Sequence, residues 1–247
     1  VMAMTGLVVL FSAFIAVQAR AMFGGDAYVQ RTVGLTYSEY ARQGFFQLLL
    51  VGLLTLGVLG TVRLLAVWQP DAGIRALRGL SAGLIVLTLI ILGSAFYRLA
   101  LYEQAFGFTR PRLAGHAVTL WLAGIFALIL ISGAFGLGRR LPVAFVVFTA
   151  AALLSFAVYN PEARIAGANV GRFEKTGKVD MDYLSTLSSD AATQLLRLPP
   201  ELRSCLRIDK PLKGDWRSFN FSRRAADKLL AETGGTCTPE HRGESVT

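Results

Sequence analysis

Five apolar stretches, Val1–Ala19, Gln43–Val62, Gly79–Tyr97, Leu113–Gly138 and Leu141–Pro161, contain no Asp, Glu, Lys or Arg and together occupy most of the first 161 residues. Each has at least 19 residues. At a rise of about 1.5 Å per residue, roughly 20 helical residues cross a hydrocarbon core of about 30 Å. Inside lipid every backbone N–H and C=O must be paired within the spanning element, so such stretches are helices. The expected fold is all-α: a polytopic transmembrane bundle of five helices over 1–161, at about 1–22, 36–66, 79–106, 115–138 and 141–159. A small, mainly helical tail domain over 162–247, soluble or resting on the membrane surface, completes it.

Charge divides the chain at the same place. Up to Pro161 there are four acidic residues and eleven arginines without a lysine; after it there are twelve acidic and fourteen basic residues, including all five lysines. The membrane part therefore carries +7 of the net +9 and the tail only +2. Positive charge at helix edges suits lipid headgroups, which arginine binds bidentately. A nucleic-acid module would instead concentrate its charge in the soluble part, so nucleic acid is excluded as a partner and the lipid bilayer is the first one expected.

Turn signals set the connections. Phe23-Gly-Gly-Asp26 breaks the first helix, and Thr36 with Glu39 fits a capping box opening the second. Trp68-Gln-Pro-Asp-Ala-Gly73 reads as a turn between Arg63 and Arg75. Gly79 and Gly83 have the spacing that lets a neighbouring helix approach closely. Gly138-Arg-Arg-Leu-Pro142 makes a tight hairpin. In the tail, helices are expected at Pro161–Arg172, Asp182–Leu187, Ser188–Leu198, Pro200–Leu206 and Phe221–Thr233, with Ser188 and Ser222 as N-caps.

The membrane part has few groups able to do chemistry. Glu39 and Arg42, three apart on one helix, and Tyr97, Arg98, Tyr102, Glu103 and Arg110 fall at the same membrane face. Tyrosine and arginine belong at membrane interfaces as belts and snorkelling anchors. Carboxylates near hydrocarbon are costly unless paired, which makes the same residues a candidate polar site for a lipid headgroup, peptide or ion. Both readings stand on sequence grounds. His116 reads as an interfacial residue, and no metal-ligand cluster, phosphate loop or nucleophile motif is present, so no cofactor or metal is expected.

In the tail, Cys205 and Cys237 are the only cysteines. Pairing them would close a loop of about 33 residues, worth roughly 3–4 kcal/mol in the chain-entropy model, and would require an oxidising compartment. Two unrelated thiols are the alternative. Trp216, Arg217, Phe219 and Arg223 either form a membrane-surface dock or fill a small tail core. Arginine and lysine counts do not separate the two membrane sides clearly; a strict count favours a cytoplasmic tail, while the compact Arg-rich turns and the cysteine pair tilt the reading slightly toward an extracytoplasmic one.

The segments Tyr37-Ser-Glu-Tyr-Ala-Arg-Gln-Gly-Phe-Phe-Gln47, Arg98-Leu-Ala-Leu-Tyr-Glu-Gln-Ala-Phe-Gly-Phe-Thr-Arg110, Asn160-Pro-Glu-Ala163 and Asp182-Tyr-Leu-Ser-Thr-Leu-Ser-Ser-Asp-Ala191 resemble a bacterial multi-pass membrane family known only as a domain of unknown function. The resemblance covers about residues 36–230. It implies a larger multi-helix protein of which this is the C-terminal half, in keeping with Val1 standing inside an apolar run, and it implies no activity, cofactor or catalytic residue.

These features together lead to the expectation of a multi-pass protein of the bacterial cytoplasmic membrane, acting as a non-enzymatic component of an envelope or transport assembly beside other membrane subunits. The alternative is a membrane enzyme or transporter that handles a lipid-linked substrate at the Glu/Arg/Tyr face.

Overall fold

The computed structural model describes residues 1–23, 37–65 and 71–206. Five long helices come first: α1 (Met2–Phe23), α2 (Tyr37–Leu65), α3 (Asp71–Phe106), α4 (Arg110–Ala134) and α5 (Leu141–Val158). Short helices follow, α6 (Pro161–Thr176), α7 (Met181–Ser185), α8 (Ala192–Leu195) and α9 (Pro200–Arg203), with a 3-10 turn at Ser189–Ala191. No strand occurs among the described residues. The segments Gly44–Leu64, Gly73–Glu103, Arg110–Ala134 and Leu141–Val158 are each long and apolar enough to span a bilayer, and Met2–Val17 is a shorter apolar stretch.

The chain divides into two compact units, Val1–Ala105 with Ala114–Leu153, and Phe106–Leu113 with the chain from Leu154 onward. In the first, Leu84, Leu92, Leu122 and Phe126 form the centre of one core, and Phe45, Leu48, Ile91, Ala95 and Leu99 form a second. Hydroxyls inside the spans are satisfied locally: Thr55, Thr88 and Thr119 each donate to the carbonyl four residues back, at 2.8, 2.8 and 2.7 Å. The α5 helix buries none of its residues, and Val143, Val146, Leu153 and Leu154 are all more than 60% exposed. So much bare apolar helix is stable only in hydrocarbon. The protein is an integral membrane protein.

Close helix contacts fall at glycines other than the expected pair. A Cβ at Gly79 or Gly83 would meet nothing within 4 Å, so their spacing marks no close approach among the described residues. At Gly52 a Cβ would lie 2.9 Å from Leu122 Cδ2, at Gly115 it would lie 3.0 Å from both Leu99 and Phe45, and at Gly124 it would collide with the Phe148 ring. The α5 helix is further tied to α4 by Trp121 Nε1, which donates to Thr149 Oγ1 at 3.2 Å, and by the edge-on packing of Trp121 against Phe145. Helix α3 begins at Asp71, about two turns before its charge-free run, because Leu77 and Leu80 pack on the main core. Tertiary burial thus extends a helix that the charges Arg75 and Arg78 had placed in a loop.

The second unit is built around α6. Asn160 caps it from the left-handed region (φ 51°), accepting from Ala163 N, and Pro161 supplies a first position that needs no N–H donor. Gly177 (φ 70°) closes it, its N–H donating to Phe173 O at 2.8 Å. Asp180 caps α7 through Tyr183 N, and Ser188 caps the 3-10 turn through Asp190 N, as expected of Ser188. Ile165, Ala166 and Val170 line one face of α6 and pack on Leu184, Ala191, Leu195 and Leu202. Ser222 and the expected helix Phe221–Thr233 lie outside the described residues.

Candidate functional site

Near the end of α3, Glu103 is turned inward rather than toward a headgroup. Its Oε2 lies 2.8 Å from His116 Nε2 on α4, and the two side chains are 4% and 13% exposed. Glu103 lies three residues before the end of α3 and His116 six after the start of α4, on the adjoining ends of the two helices. Phe96 closes over the imidazole edge-on at 4.3 Å, and Gly115, beside His116, lets Phe45 and Leu99 pack against the α4 backbone. A separation of 2.8 Å requires a hydrogen between nitrogen and oxygen, so at least one proton is held there. The outer atoms, Glu103 Oε1 and His116 Nδ1, are buried without a hydrogen-bond partner. Such orphaned polar atoms cost about 1–3 kcal/mol each, so the pair is not there for stability alone.

One helical turn or so before Glu103, Arg98 is only 8% exposed. A Cβ at Gly44 would stand 2.9 Å from its Nη1, so Gly44 on α2 leaves the room in which this guanidinium lies. Arg98 and Tyr102 are both engaged in polar or ring contacts. Tyr97 is half exposed, as an interface anchor would be. Glu39 and Arg42 stand on the first turns of α2, but their side chains lie outside the described residues.

Arg110 is engaged within the second unit. Its Nε and Nη2 donate to the two carboxylate oxygens of Glu162 at 2.5 and 3.0 Å, Nη2 also donates to Thr186 O at 2.8 Å, and its backbone N–H donates to Tyr183 Oη at 2.7 Å. Glu162 accepts a further bond from Ser188 N at 3.1 Å. The preceding turn is held the same way: Asn169 accepts from Phe108 N and donates to Phe108 O, at 3.0 and 2.8 Å. Gly107 (φ 81°) is required there, since a Cβ would lie 2.7 Å from Asn169 Oδ1. Burial raises the Tyr183 hydroxyl above the usual tyrosine value, against the opposing pull of the Arg110 amide and charge.

Sequence reasoning therefore reached Glu103 and Arg98 but placed His116 at the interface. The signal for His116 was positional: Glu103 lies in the last turn of α3 and His116 in the second turn of α4, and antiparallel helices of a hairpin bring their adjoining ends together. Among the described residues no three His, Cys, Asp or Glu side chains are grouped as a metal would need. Cys205 follows α9 and is not a free thiol. Cys237 and the proposed dock of Trp216, Arg217, Phe219 and Arg223 lie outside the described residues.

A family described as a domain of unknown function, DUF4153, matches residues 1–198. No curated protein and no solved structure matches the chain.

Proposed function

The chain belongs to the DUF4153 family, whose description assigns no activity, and from its geometry we propose that Glu103 and His116 form a protonation site inside a non-enzymatic component of a bacterial envelope or transport assembly. One observation carries this reading: a carboxylate and an imidazole in contact within the membrane unit, each with its outer polar atom left unpaired. An ionisable group within a membrane span is costly and persists where it serves a polar pathway or a proton relay. A carboxylate and an imidazole in contact can share a proton or hold it on either partner. Oε1 and Nδ1 are the two atoms through which a proton can enter or leave.

The competing reading, an enzyme or transporter acting on a lipid-linked substrate at this face, draws on the buried Arg98 as a phosphate ligand. It is weakened by the commitment of Arg110 to Glu162, which removes one of the cations such a site was expected to use. On the preferred reading the protein resides in the cytoplasmic membrane, the tail lies on the extracytoplasmic side, and Cys205 is paired with Cys237.

The test is an infrared difference spectrum of the purified full chain between mildly acidic and mildly alkaline buffer. A carboxyl band that titrates and disappears in Glu103→Gln is expected. Glu103→Gln should also abolish any cellular phenotype of the gene while membrane abundance stays at the wild-type level. No titrating carboxyl band, or loss of abundance in this isosteric variant, would assign the pair a purely structural role. Substrate-dependent turnover by purified protein, lost in the same variant, would favour the enzyme reading.

A further inference from the structure

Within the membrane unit, the end of α3 opposite Glu103 borders a cavity of about 1020 Å³ between α2, α3, α4 and the start of α5. Its interior is apolar, formed by residues such as Leu56, Leu59, Ile85, Ile125 and Ile129. Two charged side chains line it, Arg63 and Arg78, and no carboxylate does. Arg63 is fixed in place, its Nη2 donating to Gly138 O at 3.0 Å. Arg78 has no hydrogen bond or ion pair among the described residues.

The glycines of the cavity wall border open space. A Cβ at Gly60, Gly79 or Gly133 would meet nothing within 4 Å, so the helices do not close on one another here even though Gly79 and Gly133 line the space. This explains the absence of a helix contact at Gly79. Arg78 and Glu103 are 25 positions apart on α3, about 38 Å at 1.5 Å per residue, so the two sites are independent.

We propose that this cavity binds one anionic membrane lipid, its phosphate held between Arg63 and Arg78 and an acyl chain lying in the apolar slot. Charge and shape argue together. Guanidinium groups are fork donors matched to phosphate oxygens, and with no carboxylate among the lining groups a phosphate can accept from both. The volume stands at the upper limit of ordinary small-ligand pockets, about 300–1,000 Å³, while most of the wall is apolar. A polar metabolite would leave that wall bare. A transmembrane helix of a partner would bring no reason for two cations at one end. The bound lipid would link α2 to α3 and α4 at the membrane face opposite the Glu103 site.

The experiment uses the full chain purified in a non-ionic detergent, stripped of lipid and titrated with phosphatidylglycerol or phosphatidylcholine under native mass spectrometry. Retention of a single phosphatidylglycerol, with about tenfold preference over phosphatidylcholine, is expected; tenfold corresponds to about 1.4 kcal/mol. Arg78→Gln should remove most of that preference, and because Arg78 has no hydrogen bond or ion pair among the described residues its loss should leave the described fold intact. Gly133→Leu should fill the slot and abolish retention while the thermal midpoint holds or rises, since the new side chain enters open space. Equal retention of both lipids, or unchanged retention in Gly133→Leu, would overturn the proposal. So would a stoichiometric bound polypeptide in the same native spectrum in place of lipid.

Discussion

Replacing His116 by leucine isolates what the Glu103 contact does. The substitution leaves a carboxyl group 4% exposed, with Oε1 already unpaired and Oε2 newly so. Removing one partner of a buried ionic pair costs about 3–5 kcal/mol. The converse, Glu103→Leu, leaves a neutral imidazole against Phe96, at about 1–3 kcal/mol for its unpaired nitrogens. In the double variant both polar groups and both orphaned atoms are gone, and well-packed apolar replacements of a buried pair are often neutral or stabilising. The single changes should therefore fail to add. The double variant is expected to be more stable than His116→Leu alone by about 2 kcal/mol or more. For a chain of this length 1 kcal/mol corresponds to about 2–4 °C, so His116→Leu should lower the midpoint by roughly 6–20 °C and the double variant by only a few degrees. The assay is the temperature at which detergent-purified protein loses half of its gel-filtration peak, at one heating rate. If the losses add, the two side chains are not coupled and the protonation-site reading loses its basis.

Three further outcomes follow from the second unit. Glu162→Gln removes the charge from three hydrogen bonds but leaves the shape; with Arg110 about half exposed, solvent screening limits the loss to about 1 kcal/mol, read as faster amide exchange over α6 and α7. Burial raises the Tyr183 pKa above its unfolded value of about 10, so the stability it contributes is fully present below about pH 10 and is lost as pH rises through the folded value. Wild-type protein should therefore lose thermal stability more steeply on alkalinisation than Tyr183→Phe, and parallel curves would disprove this. In intact cells a membrane-impermeant maleimide should label Cys205 and Cys237 only after reduction; labelling only after permeabilisation, without reduction, would place a reduced tail in the cytoplasm.

The membrane class and the helix order were legible because apolar length is a local property: a charge-free run near 20 residues has one stable setting, whatever its neighbours. The cap Ser188 was legible for the same reason, since a cap is satisfied within three residues of itself. Pairings between helices were not. Nothing local distinguishes Gly79, which borders open space, from Gly124, which meets the Phe148 ring, because both are glycines in apolar helices. Nor does a local pattern tell Arg110, bound to Glu162, from Arg98, buried among the membrane helices. Charge, apolarity and spacing along the chain settled that this protein crosses a membrane on long helices with a helical tail. Only tertiary packing decided that a histidine near the interface would meet a buried glutamate, because the energy of a buried polar group depends on which atom of another helix arrives within about 3 Å of it.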